Sequence, residues 1–327
     1  MTSSNAERIK TLTDKLLFSD GSSVGSRSSD IVINKNNLGF SIDISGIELK
    51  EAETVRQLAI AEIEKYENFD KVSIVLTSTR VGKKDEHPKL HVDGVKEIIV
   101  VAAGKGGVGK STVAVLLAHK LASEGKKVGI IDADIYGPSI PHMLDLSGKP
   151  HVEDKKMIPL ENYGISVNSI GFLTEPGASV SWRGPMTSKA LYQLLSLTKW
   201  GDLDYLIIDT PPGTGDIHLS LLQNYIVDKV IMVVTPQKIA ELDVSRAISL
   251  YRKFDISVFG IVENMTHYID QDSGKEIRIF TGNSSGNISQ ENDIPVLTKL
   301  PITPELSAAC DAGIDLKKFT HLLDFNL

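Results

Sequence analysis

One nine-residue stretch constrains this chain more than any other: Gly104-Lys105-Gly106-Gly107-Val108-Gly109-Lys110-Ser111-Thr112. Ahead of it, Val100, Val101, Ala102 and Ala103 form an apolar run of strand character. Behind it, Val113, Leu117 and Leu121 recur at helical spacing until Gly125 offers a stop. Strand, glycine-rich loop and helix, in that order, make the setting of a phosphate-binding loop. The glycines let successive backbone N–H groups turn inward around phosphate oxygens, and the helix N-terminus adds partial positive charge. Lys110 is then placed to reach the β- and γ-phosphates, and the Ser111 hydroxyl to ligate Mg²⁺. The residues from Gly104 to Thr112 are the expected binding site for a nucleoside triphosphate.

The rest of the composition narrows the class. A chain of 327 residues has room for about two domains. With 41% apolar and 24% charged residues it reads as soluble and globular. A net charge of -7 gives no general electrostatic reason to bind nucleic acid or an anionic membrane. No apolar run approaches the roughly 20 residues that span a bilayer, and the N-terminus lacks the apolar core of a secretory signal. The single cysteine, Cys310, rules out an internal disulfide and fits a reducing compartment, so a cytoplasmic address is expected.

Two domains are expected, joined by a polar hinge. In residues 1–80, Ile9, Leu12, Leu16 and Leu17 mark a short helix, and Leu38, Phe40, Ile42 and Ile44 alternate as a strand with one buried face. Val55, Leu58, Ala59 and Ile63 return to helical spacing before a strand at 72–76. The order α-β-β-α-β predicts a small α+β open-faced sandwich, with a mobile Ser/Gly-rich loop at 19–29. Residues 81–96, charged and carrying Gly82, Pro88 and Gly94, read as the linker. From residue 97 to 327, apolar strands at 98–103, 128–131, 205–208, 229–234, 257–262 and 296–300 alternate with helical stretches. That alternation predicts an α/β doubly wound, mostly parallel sheet with ligands outside the carboxyl ends of its strands.

Three acids fall at such strand ends. Asp132 and Asp134 follow one apolar run, and two carboxylates two apart in an extended segment point the same way. Asp209 ends another strand, ahead of Thr210-Pro211-Pro212-Gly213-Thr214-Gly215-Asp216. We assign Asp132 and Asp209, with Ser111, to the Mg²⁺ shell and Asp134 to orienting the attacking water. The Pro-Pro-Gly-Thr-Gly loop can approach a γ-phosphate and be released on hydrolysis. Each acid also has a plain reading as an N-cap or turn residue. Lys105 has a plain reading as a solvated loop lysine, and it sits too early in the loop to fold back on its own nucleotide. As a second cation it would cross a two-fold interface to the partner's phosphates, which predicts an ATP-dependent homodimer. The catalytic set is therefore Lys105, Lys110 and Asp134.

With these residues in place the chain resembles a known family. Its glycine-rich stretch is similar to the deviant Walker A motif of the MinD/ParA/nitrogenase-iron-protein class of P-loop ATPases. Residues 132–139, Trp182-Arg183-Gly184-Pro185-Met186, Leu203-Asp204-Tyr205, 209–216 and Val262-Glu263-Asn264-Met265 resemble the Mrp (ApbC-like) iron–sulfur cluster carriers. The N-terminal unit resembles the MIP18-type domain that precedes the ATPase in many of them. The resemblance implies a slow ATPase working as a dimer, a [4Fe–4S] cluster shared between subunits and handed to apoproteins, and adenine recognition by Asn264. Arg183 matches a family arginine and reads equally as a salt-bridged surface residue.

One departure stands out. In the family, Asn-Met is followed within a few residues by Cys-x-x-Cys, whose thiolates hold the cluster. Here Asp270 and Ser273 occupy the cysteine positions, and neither is a soft ligand. Cys310, in a C-terminal helical stretch, is expected buried and inert. His267, Asp270 and Asp272 fit a polar loop tip better than a site for a harder metal. The ligand chemistry thus counts against direct cluster binding, and the reading is an ATPase that acts on apoproteins or an assembly scaffold. The competing readings are a MinD/ParA-like positioning switch and a nucleotide-binding scaffold with negligible turnover. The tail Leu316-Lys317-Lys318-Phe319-Thr320-His321-Leu322-Leu323 has only two lysines, which weakens a membrane-attached version.

Overall fold

The computed structural model describes residues 2–34, 36–66, 69–77, 88–173 and 184–327. The chain divides into two compact units, Met1–His87 and Pro88–Leu327. The first contains α1 (Thr2–Thr13), β1 (Val32–Asn34), β2 (Asn37–Asp43), α2 (Leu49–Tyr66) and β3 (Lys71–Thr77), the α-β-β-α-β order read from the sequence. β2 is the middle strand, antiparallel to β1 and parallel to β3. Leu38, Phe40 and Ile42 point to one face and bury against Ala52, Val55, Ala59 and Ile63 of α2. The segment at 19–29 is not the mobile loop expected. Val24 is fully buried in this core, and the Arg27 guanidinium bonds Asp20 at 2.6 Å and the carbonyls of Asp43 and Ser45 at 3.0 Å. Serine and glycine content there reflects turn geometry rather than motion.

The second unit begins earlier than the linker reading allowed. Residues 81–87 lie outside the described residues, while Leu90 pairs with Tyr225 and Val92 and Val95 are buried in the unit's core. Its first strand, β4, is Val95–Ala103, followed by α3 (Lys110–Ser123), β5 (Val128–Asp132) and a short α4 (Ile140–Met143). Next come a small hairpin of β6 (Val152–Glu153) and β7 (Lys156–Met157), then β8 (Leu160–Asn162) and β9 (Ile165–Ser169). After them run α5 (Gly184–Ser196), β10 (Leu203–Asp209), α6 (Asp216–Asn224), β11 (Lys229–Val234), α7 (Ile239–Lys253) and β12 (Val258–Glu263). A hairpin of β13 (Tyr268–Ile269) and β14 (Glu276–Ile277) leads into α8 (Ser284–Asn292), β15 (Val296–Lys299) and α9 (Pro304–Asp311).

Eight of these strands form one sheet in the order β15-β12-β11-β4-β10-β5-β9-β8, parallel throughout except for β8 against β9. β8 and β9 extend the sheet beyond the strands read from sequence. Period-two geometry sends alternate β4 residues to opposite faces. Ile98, Val100 and Ala102 join a core with α5, α6 and α7, whereas Ile99, Val101 and Ala103 join one with α3 and α9. A strand covered on both faces must be apolar at every position, which explains the unbroken run before the glycines. Among the described residues no helix is long and apolar enough to cross a membrane.

Candidate nucleotide and phosphate site

The loop between β4 and α3 sits at the carboxyl edge of the sheet, where β10 lies between β4 and β5. Two of its glycines are required by space. A Cβ on Gly104 would come within 2.6 Å of the backbone at Asp243 and Val244 of α7. At Gly109, φ is +83° and a Cβ would meet the Asn264 amide nitrogen at 2.1 Å. Gly109 is the N-cap of α3, with no side-chain cap and no acid in the first helical turn. The free N–H groups of that turn are therefore left to an anion.

Opposite them, strand register sets the acids. Asp209 lies level with Val101 on one side and Asp132 on the other. The Lys110 ammonium, 7% exposed, donates to Asp209 Oδ1 at 2.5 Å, and Ser111 Oγ donates to Asp209 Oδ2 at 2.6 Å. Asp134 Oδ2 stands 3.7 Å from Lys110 Nζ. Asp134, Lys110 and Ser111 line a cavity of about 580 Å³ together with Lys105, Gly106, Gly107, Gly109 and Thr112.

Asp132 and Asp134 do not point the same way. Asp132 is fully buried, its Oδ2 accepting from the Ile140 N–H at 3.0 Å and its Oδ1 from the Asp134 N–H at 3.2 Å. Its extended geometry ends with β5, so the next carboxylate turns toward Lys110 instead. Burial and the neighbouring Asp209 push the Asp132 carboxyl up to about 7. Burial also pushes Asp209 upward, opposed by Lys110 and the Ser111 hydroxyl. Among the described residues no three His, Cys, Asp or Glu side chains make a metal cage by themselves. The donors present, a serine hydroxyl and carboxylate oxygen, nonetheless suit Mg²⁺, a hard ion that takes one or two protein oxygens and fills its octahedron with phosphate and water.

Asn264 follows β12, and its Nδ2 donates to the Val108 carbonyl at 2.9 Å while its Oδ1 accepts from the Met265 N–H at 2.9 Å. Its amide thus braces the phosphate loop within the chain. Asn264 and Met265 also line the cavity, with Pro301, Ile302, Thr303 and Leu306. Met265 is held at φ 57°, a left-handed conformation unusual for such a side chain. Cys310 is buried on α9, and burial pushes its thiol up to about 11, as an unreactive cysteine requires. It also lines the cavity, which the sequence did not suggest.

His218 escaped the sequence reading. It is buried on α6, its Nε2–H donating to the Pro211 carbonyl at 2.9 Å and its Nδ1 accepting from the Tyr251 hydroxyl at 2.9 Å. Burial pushes it down to about 4, so the ring is neutral and its tautomer is set by these partners. It pins the loop after Asp209 to α7. A strut of this kind has no local sequence signal, since Tyr251, which fixes the ring, lies 33 residues away on another helix.

Asp270 and Ser273, read from the sequence at the family's cysteine positions, lie on the β13–β14 hairpin. Asp270 Oδ1 accepts from the Ser273 N–H at 2.7 Å and the Ser273 hydroxyl at 2.6 Å, closing an Asx turn. Ser273 holds the Asp270 carboxyl below the usual carboxylate range. His267 bonds Thr266 at 2.8 Å, and Asp272 is exposed. The loop-tip reading describes Asp270 and Asp272, whereas His267 stands at the base of the hairpin, before β13. The Ile302 N–H donates to the His267 carbonyl at 2.6 Å, so the hairpin base is tied to the segment between β15 and α9, which lines the cavity. Trp182 and Arg183 lie outside the described residues.

Comparison with known proteins identifies the family. A family model described as "ParA: NUBPL iron-transfer P-loop NTPase" matches residues 94–321. A Rickettsia felis protein named "Iron-sulfur cluster carrier protein" is 48% identical over 311 residues, covering 94% of this chain and 94% of the relative. One of the same name from Haemophilus influenzae is 48% identical over 224 residues, covering 68% of this chain and 60% of its own length. Among solved structures, a nucleotide-binding protein of Archaeoglobus fulgidus in complex with ADP has a TM-score of 0.62 at 37% identity, covering 69% of this chain and 90% of that one. The Pyrococcus furiosus cell division ATPase MinD, at TM-score 0.50 and 20% identity over 70% of this chain and 97% of its own, shares the fold alone. The chain belongs to the ParA-type, NUBPL iron-transfer family of P-loop NTPases.

Proposed function

We propose that this chain is an ATP-dependent homodimer that hydrolyses ATP slowly and serves iron–sulfur cluster assembly or transfer to apoproteins in the cytoplasm. One observation carries the proposal: a buried Lys110 held between Asp209 and Asp134 at the uncapped start of α3, beside the Ser111 hydroxyl. An arriving triphosphate replaces carboxylate partners of Lys110 with phosphate oxygens and meets the free N–H groups of the helix. Ser111 and Asp209 would hold Mg²⁺, and the ion would neutralise charge on the β- and γ-phosphates; Asp132, assigned to that shell from the sequence, has both oxygens bonded by backbone N–H groups and braces the loop behind them instead. Asp134, facing the cavity, orients the attacking water. Lys105 of one copy supplies the second cation at the phosphates of the other. Asn264 reads the adenine edge, for which its amide can both donate and accept.

The donor set does not fit a cluster as cargo held on this chain. Asp270 and Ser273 are hard oxygen groups already bonded to each other, and Cys310 faces the nucleotide cavity as a protonated thiol. We assign the chain to ATP-driven work on clusters held by a scaffold or client. The test is iron and acid-labile sulfide content after anaerobic purification and reconstitution, with light scattering in ATP. The expected outcome is a dimer in ATP with no bound cluster. A stoichiometric cluster would overturn the cargo reading, and a lone protomer in saturating ATP the dimer.

A further inference from the structure

Lys105 has a partner that the phosphate chemistry does not use. Its Nζ donates to Gln237 Oε1 at 3.1 Å, and the Thr235 hydroxyl donates to the same oxygen at 3.2 Å. Gln237 lies in the turn between β11 and α7, and that turn is fixed from two sides. The Ser284 hydroxyl bonds the Thr235 carbonyl, and Gly282, at φ +134°, packs so close to the Pro236 carbonyl that a Cβ would sit 2.0 Å from it. On the other side α7 presses its backbone onto Gly104, the residue next to Lys105. The turn that carries the acceptor is therefore fixed at its backbone, and the Thr235 hydroxyl orients the Gln237 amide oxygen toward Lys105. The acceptor is also neutral. An amide oxygen holds an ammonium well enough to define its resting position, yet far less tightly than a carboxylate would.

We propose that Gln237, braced by Thr235, is a resting clasp that withholds the Lys105 ammonium from triphosphate chemistry until a second copy of the chain engages. This rests on reading Lys105 as the cation lent across a dimer. Its role is positional: Gln237 acts through Lys105 and touches no phosphate. The clasp gives the resting protomer a defined off position and makes release of Lys105 part of the cost of assembly. Ile239 and Leu242, both more than two-thirds exposed, stand on the first turns of α7 beside Gln237, where docking of another copy would be felt at the clasp.

Two variants of the full chain test this with opposite expectations. Gln237→Leu keeps the size and removes the acceptor, whereas Gln237→Glu adds charge. Amine labelling of Lys105, followed by peptide mass spectrometry without nucleotide, should speed up about fivefold in the first and slow by a similar factor in the second. In ATP, the protein concentration at half-dimerisation should fall in Gln237→Leu and rise in Gln237→Glu. Labelling at the wild-type rate in both variants overturns the clasp, whatever the oligomeric state. Half-dimerisation shifting the same way in both overturns the withholding role, because structural damage has one sign. If labelling shifts as expected while wild type stays monomeric in ATP, the clasp stands and the dimer reading falls.

Discussion

The phosphate loop follows β4 and the β13–β14 hairpin follows β12, two strands away in the same sheet, and the two are built in opposite ways. At the loop, charged groups are buried and answer one another: Lys110 to Asp209 and Asp134, Asp209 to Ser111. Such a cluster is costly to assemble and is held ready for a ligand that completes it. At the hairpin, Asp270 and Ser273 satisfy each other beside solvent and leave nothing waiting. The difference teaches that buried, mutually dependent charge is concentrated at the phosphate loop, while the hairpin that carries Asp270 and Ser273 is a self-contained turn.

The sharpest way to break that contrast is to rewrite the hairpin. Asp270→Cys with Ser273→Cys should take the protein from no cluster to about one [4Fe–4S] cluster per dimer, since two copies then offer four thiolates. Iron and sulfide analysis with visible absorbance reads the result; continued absence of iron would show that more than two ligands separate this chain from a cluster binder. At the other end, Lys110→Ala should weaken ATP binding about a thousandfold, the loss of two charge-assisted hydrogen bonds at tenfold per 1.4 kcal/mol. Calorimetric titration checks it, and a loss under tenfold would make the buried pair merely structural.

Acid should separate the regions again. His218 titrates near 6.5 when unfolded and near 4 when folded, so the unfolded chain binds the extra proton between those values. Stability of the sheet unit therefore drains as pH falls from 6.5 to 4, by about 3 kcal/mol. His119, also pushed down by burial, adds to the same slope. The Asp270 turn, with its carboxyl held low, keeps its bonds across this window. Urea unfolding at stepped pH, compared with a His218→Leu, Tyr251→Phe variant, isolates the His218 share; an unchanged slope would remove that share. Smallest is Asn264→Ala, expected to weaken ATP about tenfold while leaving GTP unchanged. Equal losses for both nucleotides would make Asn264 a brace for Val108 alone.

What could be read in the sequence follows a physical line. The glycine loop and the two-sided strand before it were legible because sterics and burial act there on consecutive residues. β8 and β9 were missed because β9 is short and polar at its end, where Asn168 is buried by a bond to Thr198 at 2.8 Å. The Ser/Gly segment at 19–29 misled for a related reason: its order comes from Arg27 and Val24 reaching distant partners. Asp132 and Asp134 shared a motif but not a direction, since parity arguments stop where a strand stops. The Gln237 and His218 contacts span more than a hundred residues or join separate helices, and no local pattern announces them.

The Asx turn at the hairpin tip has a consequence for how the protein matures. A loop shaped by thiolates around a metal takes its final form only when the metal arrives. Here a carboxylate and a hydroxyl do that shaping, so the turn needs no metal to take its form, with iron scarce or plentiful.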